Sequence, residues 1–269
     1  MNAIPRPALA APGRITNIWG KSGAGKTSLA LDLAISEIED VHGKVIYITD
    51  DPVAVIRRVG KRLLSRDDAT SHDAQLRDYF IILHAQAFKN QGDIIQQLPL
   101  AFLPDMATRE SSQFKNFVGT GENDLSEMVI QSLAAYKEPS MVIVDEITRM
   151  YKRLAIDADD PGSLNLQLLA QLGFLKDLAA RRGVKVVITS ATRTISTTVA
   201  STDETRFIDV PIANDVMDHY VDIDARVQWT RRAGEREVIV MDASQQSKQQ
   251  VHVIDLNAIH DRLAGGVAP

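Results

Sequence analysis

The chain has 269 residues, 45% of them hydrophobic, and a formal net charge of −5. That is apolar material for one large α/β domain or two small ones, and too acidic a balance for a polycation that coats nucleic acid. The absence of cysteine excludes disulfides and thiolate metal sites and agrees with a cytoplasmic location. No apolar run approaches the ~20 residues of a membrane span, so no membrane role is expected.

Residues 1–13, with Pro5, Pro7 and Pro12, lack the basic and apolar regions of a signal peptide and read as a flexible lead-in. Residues 14–19 then alternate like a strand. They run into Gly20-Lys21-Ser22-Gly23-Ala24-Gly25-Lys26-Thr27, which fits the phosphate-binding pattern G-x-x-x-x-G-K-[ST]. Glycines let such a loop turn its N–H groups inward around phosphates. Lys26 supplies a compact charge for the β- and γ-phosphates, and Thr27 offers a hydroxyl to Mg²⁺. Ser28 opens a helix to Ile38 with Leu29, Leu31, Leu33 and Ala34 apolar, so its positive end faces the anion. The whole loop from Gly20 to Ser28 is therefore the expected nucleotide cradle.

A buried parallel strand is expected over 44–49, ending at Asp50-Asp51-Pro52. The helix predicted over 53–64 carries Ile56, Val59 and Leu63 on one side and Arg57, Arg58, Lys61 and Arg62 on the other. A strand follows over 79–84 and a helix over 92–100. Residues 101–123, with Pro104, Gly119 and Gly121, show no period and read as an exposed insertion. A helix over 124–136 leads to Met141-Val142-Ile143-Val144-Asp145, four apolar residues ending in an acid. Beside a phosphate loop, such a strand carries a carboxylate to the Mg²⁺ site. Next comes a helix from about 160 with Leu168, Leu172, Leu175 and Ala179 on one face, closed by Gly183. A strand covers 184–189. The Ser- and Thr-rich stretch 194–205 reads as mobile. Runs at 225–230, 237–241 and 251–255 alternate with turns and predict antiparallel strands. Together these give one α/β domain, a twisted and mostly parallel sheet with helices on both faces. Its core spans 14–262, followed by a disordered tail over 263–269.

Three residues are candidates for catalysis: Lys26, Asp51 and Glu146. Asp51 suits a general base if it reaches a water in line with the γ-phosphate, but Asp50-Asp51-Pro52 equally suits a helix cap. Glu146 directly follows Asp145 and offers the alternative, although it reads first as a solvent-facing acid. Thr27 and Asp145 are the expected metal ligands.

With these motifs in hand, the chain resembles the RecA superfamily of ATPases, and within it the archaeal RadB-like recombinase paralogues. Residues 13–20 resemble the family's G-x-I-T-x-I-x-G, and residues 45–51 its V-I-Y-I-D-T-E. Val142-Ile143-Val144-Asp145-Glu146-Ile147-Thr148 with Tyr151 resembles V-V-V-D-S-I-T-x-x-Y, and residues 211–219 a late P-x-G-G-x-x-x-x-H. The resemblance implies a RecA-like core, ATP and Mg²⁺ as cofactors, DNA and a main recombinase as partners, and a possible oligomer. Departures accompany it. Asp51 stands at the family's catalytic glutamate, Glu146 at its serine, Ser190-Ala191 at the Asn-Gln that senses the γ-phosphate, and Ala213-Asn214 at paired glycines. An eroded switch beside an intact pocket implies an ATP-binding accessory of recombination and DNA repair with weak hydrolysis.

Two alternatives stay open: a KaiC-like regulatory ATPase that never meets DNA, and a non-hydrolysing, nucleotide-dependent assembly module. Arg57, Arg58, Lys61 and Arg62, or Arg181, Arg182 and Lys185, are candidate phosphate contacts for DNA, as are Tyr151, Lys152 and Arg153. A solvated helix face explains the first group equally well.

Overall fold

The computed structural model describes residues 6–64, 76, 78–102, 124–157, 161–199, 204–245 and 249–265. The strands are β1 (Ile15–Trp19), β2 (Val45–Thr49), β3 (Phe80–His84), β4 (Met141–Asp145), β5 (Lys185–Ser190), β6 (Thr192–Val199), β7 (Glu204–Pro211), β8 (Ile223–Trp229), β9 (Glu235–Asp242) and β10 (Gln249–Asp255). The helices are α1 (Arg6–Leu9), α2 (Lys26–Val41), α3 (Pro52–Leu64), α4 (Phe88–Gln97), α5 (Asp124–Ala135), α6 (Ile147–Asp157), α7 (Pro161–Arg182), α8 (Asn214–Met217) and α9 (Leu256–Leu263). A 3₁₀ turn, Leu98–Phe102, extends α4.

Eight strands form one sheet in the order β10-β9-β8-β1-β5-β4-β2-β3. The run from β8 to β3 is parallel, and β9 and β10 add antiparallel at one edge. β1, β2 and β4 are buried at every position, as their uninterrupted apolar runs require once helices cover both faces. One face packs Leu29, Leu31, Leu33 and Ile38 of α2 with Val55 and Val59 of α3 and Leu256, Ile259 and Leu263 of α9. The other packs Phe88 and Ile94 of α4, Ile147 and Met150 of α6, and the α7 stripe of Leu168, Leu172, Leu175 and Ala179. Each buried leucine contributes about 1.5–3 kcal/mol of transfer free energy, so the stripe fixes α7 against the sheet. The strand order brings the C-terminal ends of β1, β4 and β5 together with β2 beside them, the edge at which open α/β sheets bind ligands.

Four sequence expectations change. Residues 194–199 and 204–205 are strand and not a mobile connection, and residues 200–203 lie outside the described residues. β6 and β7 pair antiparallel as a separate two-stranded sheet, with Thr194 opposite Asp209 and Ile195 opposite Ile208. Its Thr, Ile and Val residues favour extended backbone, which outweighs the polar composition. The expected insertion starts later, because Ala101 is buried and its carbonyl accepts the Glu138 N–H at 2.9 Å; residues 103–123 lie outside the described residues. Leu9 and Ala10 bury into the core, so they leave the flexible lead-in. The end of the core also shifts. Asp255 caps α9 by accepting the Asn257 N–H at 2.8 Å, and Leu263 is buried. The tail expected over 263–269 therefore loses its first residue to the helix, and residues 266–269 lie outside the described residues.

Candidate nucleotide site

Trp19 ends β1, and its indole Nε1 donates to Asp224 at 2.7 Å, which anchors the start of the loop against β8. Burial pushes the Asp224 carboxyl up to about 6, against the lowering pull of the Trp19 and Asn17 hydrogen bonds. The loop glycines are demanded by close approach. A Cβ on Gly20 would sit 2.3 Å from the Val227 carbonyl oxygen. Gly25 has φ 104° at the N-cap of α2, and a Cβ there would sit 2.9 Å from Leu256. Helix α2 begins at Lys26 with no side-chain cap. Its first backbone N–H groups therefore have no side-chain acceptor at the cap and suit an anion.

The candidate side chains converge on this loop. Lys26 is buried, and its Nζ donates to the carbonyls of Gly20 at 3.0 Å and Lys21 at 3.4 Å. The same Nζ lies 3.6 Å from Glu146 Oε2. Asp145 accepts hydrogen bonds from Thr27 Oγ1 at 3.2 Å, Thr189 Oγ1 at 2.5 Å and Tyr47 OH at 2.7 Å. Burial, with the Asp145 charge behind it, holds the Tyr47 hydroxyl well above its ordinary range, so it stays a donor. Ser28 Oγ lies 3.0 Å from His260 Nε2, which ties the start of α2 to α9. Lys21 turns outward and pairs with Asp209 of β7 at 3.0 Å. Ser22 and Gly23 are exposed, whereas Ala24 is buried.

Glu146 is not the solvent-facing acid that its place after a strand suggests. It is 9% exposed, joined to Asp145 by a cis peptide, and packed beside Lys26. Burial raises its carboxyl above the ordinary glutamate value, although Lys26 and Arg149 pull the other way. Thr148 Oγ1 lies 3.5 Å from Glu146 Oε1 and accepts the Ala191 N–H at 3.0 Å. Asp51 goes elsewhere. Its Oδ1 accepts the Ala54 N–H at 2.9 Å and its side chain is solvent-exposed, so it caps α3 with Pro52 in the first helical position. Asp50 pairs with Arg149, its two oxygens at 3.1 and 3.2 Å from Nη1. Burial raises the Asp50 carboxyl and Arg149 opposes that rise. Arg149 lies between these acids, and no sequence motif pointed to it.

The donor set fits a hydrated divalent cation. A hydroxyl and a carboxylate, Thr27 and Asp145, stand together at the loop, and hard cations take such oxygen ligands alongside phosphate oxygens. Among the described residues no cluster of three or more His, Cys, Asp or Glu could hold a metal by itself. This pair of oxygen ligands suits a cation shared with a ligand's phosphates.

The basic clusters are partly dismantled. Arg62 is buried and its Nη2 donates to Glu39 at 2.6 Å, beside Arg262, which donates to the other Glu39 oxygen at 2.7 Å. These two hydrogen bonds outweigh burial and hold Glu39 below its ordinary range. Lys185 pairs with the buried Glu37 at 2.6 Å. Tyr151 is buried and donates to Asn165 at 2.5 Å. Arg57, Lys152, Arg153, Arg181 and Arg182 remain exposed.

Comparison with known proteins supplies the fold. The solved structure of a RadB recombinase superposes with a TM-score of 0.60, covering 93% of this chain and 91% of that one at 18% identity. The chain shares the fold of that structure. A DNA repair and recombination protein RadB from Methanococcoides burtonii is 24% identical over 178 residues, 66% of this chain. The match spans 61% of that relative's length. No family model matches. One departure within the RadB-like pattern has a visible consequence: Ala213, where the family has glycine, adopts φ 56°. The backbone keeps the left-handed turn although the side chain disfavours it.

Proposed function

We propose that this chain is an ATP-binding accessory of homologous recombination and DNA repair that hydrolyses ATP slowly, with Glu146 as its general base. The observation that carries this is the buried Glu146 carboxylate 3.6 Å from Lys26, in a site where Thr27 meets Asp145. Lys26 and the loop backbone bind and orient the phosphates. Thr27 and Asp145 would hold Mg²⁺, which when bound neutralises charge on the β- and γ-phosphates. Glu146 takes the proton of the attacking water as its oxygen bonds to the γ-phosphorus and ADP leaves with the bonding pair. A buried carboxylate with a raised pKa is a better proton acceptor near neutral pH than an exposed one. Turnover is slow because Ala191 offers no hydrogen-bonding side chain to sense the γ-phosphate.

The repair role rests on likeness to RadB relatives and on exposed cations at Arg57, Lys152, Arg153, Arg181 and Arg182. It is tested by titrating single-stranded DNA against salt, with and without ATP and Mg²⁺. Binding should weaken with salt, and Lys152→Ala with Arg153→Ala should shallow the logarithmic slope by roughly one unit per lost contact. No binding at low salt in either nucleotide state would eliminate the DNA role in favour of a regulatory ATPase. A second reading, a non-hydrolysing assembly module, is favoured by Asp51, which stands at the family's catalytic position yet caps a helix. Measurable ATP turnover separates the two.

A further inference from the structure

Arg149 sits in the first turn of α6, four residues after β4 ends at Asp145. A cation there gains nothing from the helix, whose N-terminal end is itself positive. The guanidinium is 41% exposed and half-enclosed by acids: Asp50, its ion-pair partner, with Glu146 and Asp145 also acting on its charge. Both contacts to Asp50 use Nη1. A part-exposed ion pair of this kind is worth ~0–1 kcal/mol and is easily exchanged for a stronger anion. The planar fork of an arginine suits phosphate oxygens. Glu146, whose charge acts on the guanidinium, lies 3.6 Å from Lys26 Nζ, so Arg149 and Lys26 share an acid at the site expected to take a terminal phosphate.

We propose that Arg149 exchanges Asp50 for the terminal phosphate of bound ATP and acts within the same chain as the transition-state cation. This rests on the nucleotide reading above. As the bond from water oxygen to the γ-phosphorus forms and the bond to the β-bridging oxygen breaks, negative charge spreads over the γ-phosphoryl oxygens and Arg149 meets it. The water proton goes to Glu146 and the electron pair leaves with ADP. Asp50 is the resting partner that keeps the guanidinium extended while the site holds no terminal phosphate. The chain then needs no cation from a neighbouring copy.

The test measures affinity for ADP and for ADP–aluminium fluoride with Mg²⁺, a mimic of the transferring phosphoryl group, and ATP turnover across a range of protein concentrations. Arg149→Ala should weaken the aluminium fluoride complex by roughly 10²- to 10³-fold and leave ADP affinity within about twofold. Arg149→Lys should recover part of the loss, and Asp50→Asn, which frees the guanidinium, should tighten the complex. Turnover per chain should not rise with protein concentration. Equal aluminium fluoride affinity for parent and Arg149→Ala, with ADP bound normally, would overturn the role of Arg149 alone. A parent that binds no nucleotide would sink the nucleotide reading and this inference together. If Arg149→Ala does not fold, a lysine variant and an Asp50→Asn variant both indistinguishable from the parent would equally overturn it.

Discussion

Two neighbouring strands of this protein end alike in sequence and differently in space. β2 runs into Asp50-Asp51 and β4 ends at Asp145 with Glu146 next, and Thr49 and Asp145 stand side by side in the sheet. At the β4 end both acids are buried against the phosphate loop, Asp145 on Thr27 and Glu146 on Lys26. At the β2 end Pro52 opens a helix at once, and the helix claims the nearest carboxylate as its cap because its first N–H groups lack acceptors. Asp50 is left to restrain Arg149. Where a strand-end acid goes is thus decided by what the next three residues need.

The contrast can be broken at either end. The largest effect is expected at the β4 end. Lys26→Ala removes the cation proposed to face the phosphates and leaves Glu146 buried without it. ATP affinity measured by calorimetry should fall by roughly 10²- to 10³-fold, about 3–4 kcal/mol. A variant binding within threefold of the parent would mean the loop does not use its lysine. A smaller effect is expected at the β2 end. Asp51→Ala removes a helix cap, so urea unfolding should show a loss of about 1 kcal/mol, with ATP affinity unchanged. If stability held and nucleotide binding fell instead, Asp51 would belong to the site and not to α3.

Much of this was legible in the sequence. The phosphate loop, the apolar strand ending in Asp145 and the α7 leucine stripe each carry a local pattern with one physical meaning, and the structure has all three. What was not legible depended on partners distant in the chain. The solvent-facing reading of Glu146 failed because nothing local says that the chain turns it back onto Lys26, 120 positions earlier. Arg62 and Lys185 looked like parts of basic clusters because their partners, Glu39 and Glu37, lie far back in the chain on α2. Helix α9 did leave a signal, Asp255 followed by Leu256, Ile259 and Leu263 at helical spacing, but it is short and follows a strand without a break. The β6–β7 hairpin was hidden by a Ser- and Thr-rich composition that suits a loop as well as a strand.

The central claim is that the base stands at the end of β4 and not of β2. The measurement that tests it most directly is kcat/KM for ATP hydrolysis against pH in the parent, Glu146→Gln and Asp51→Asn. Because burial raises the Glu146 carboxyl and a base works only when ionised, the parent's activity should rise with pH through a limb lying above the ordinary glutamate range. Glu146→Gln should lose roughly 10²- to 10⁴-fold and the limb with it, while Asp51→Asn should keep both within about twofold. Hydrolysis that survives Glu146→Gln and stops with Asp51→Asn would contradict the account.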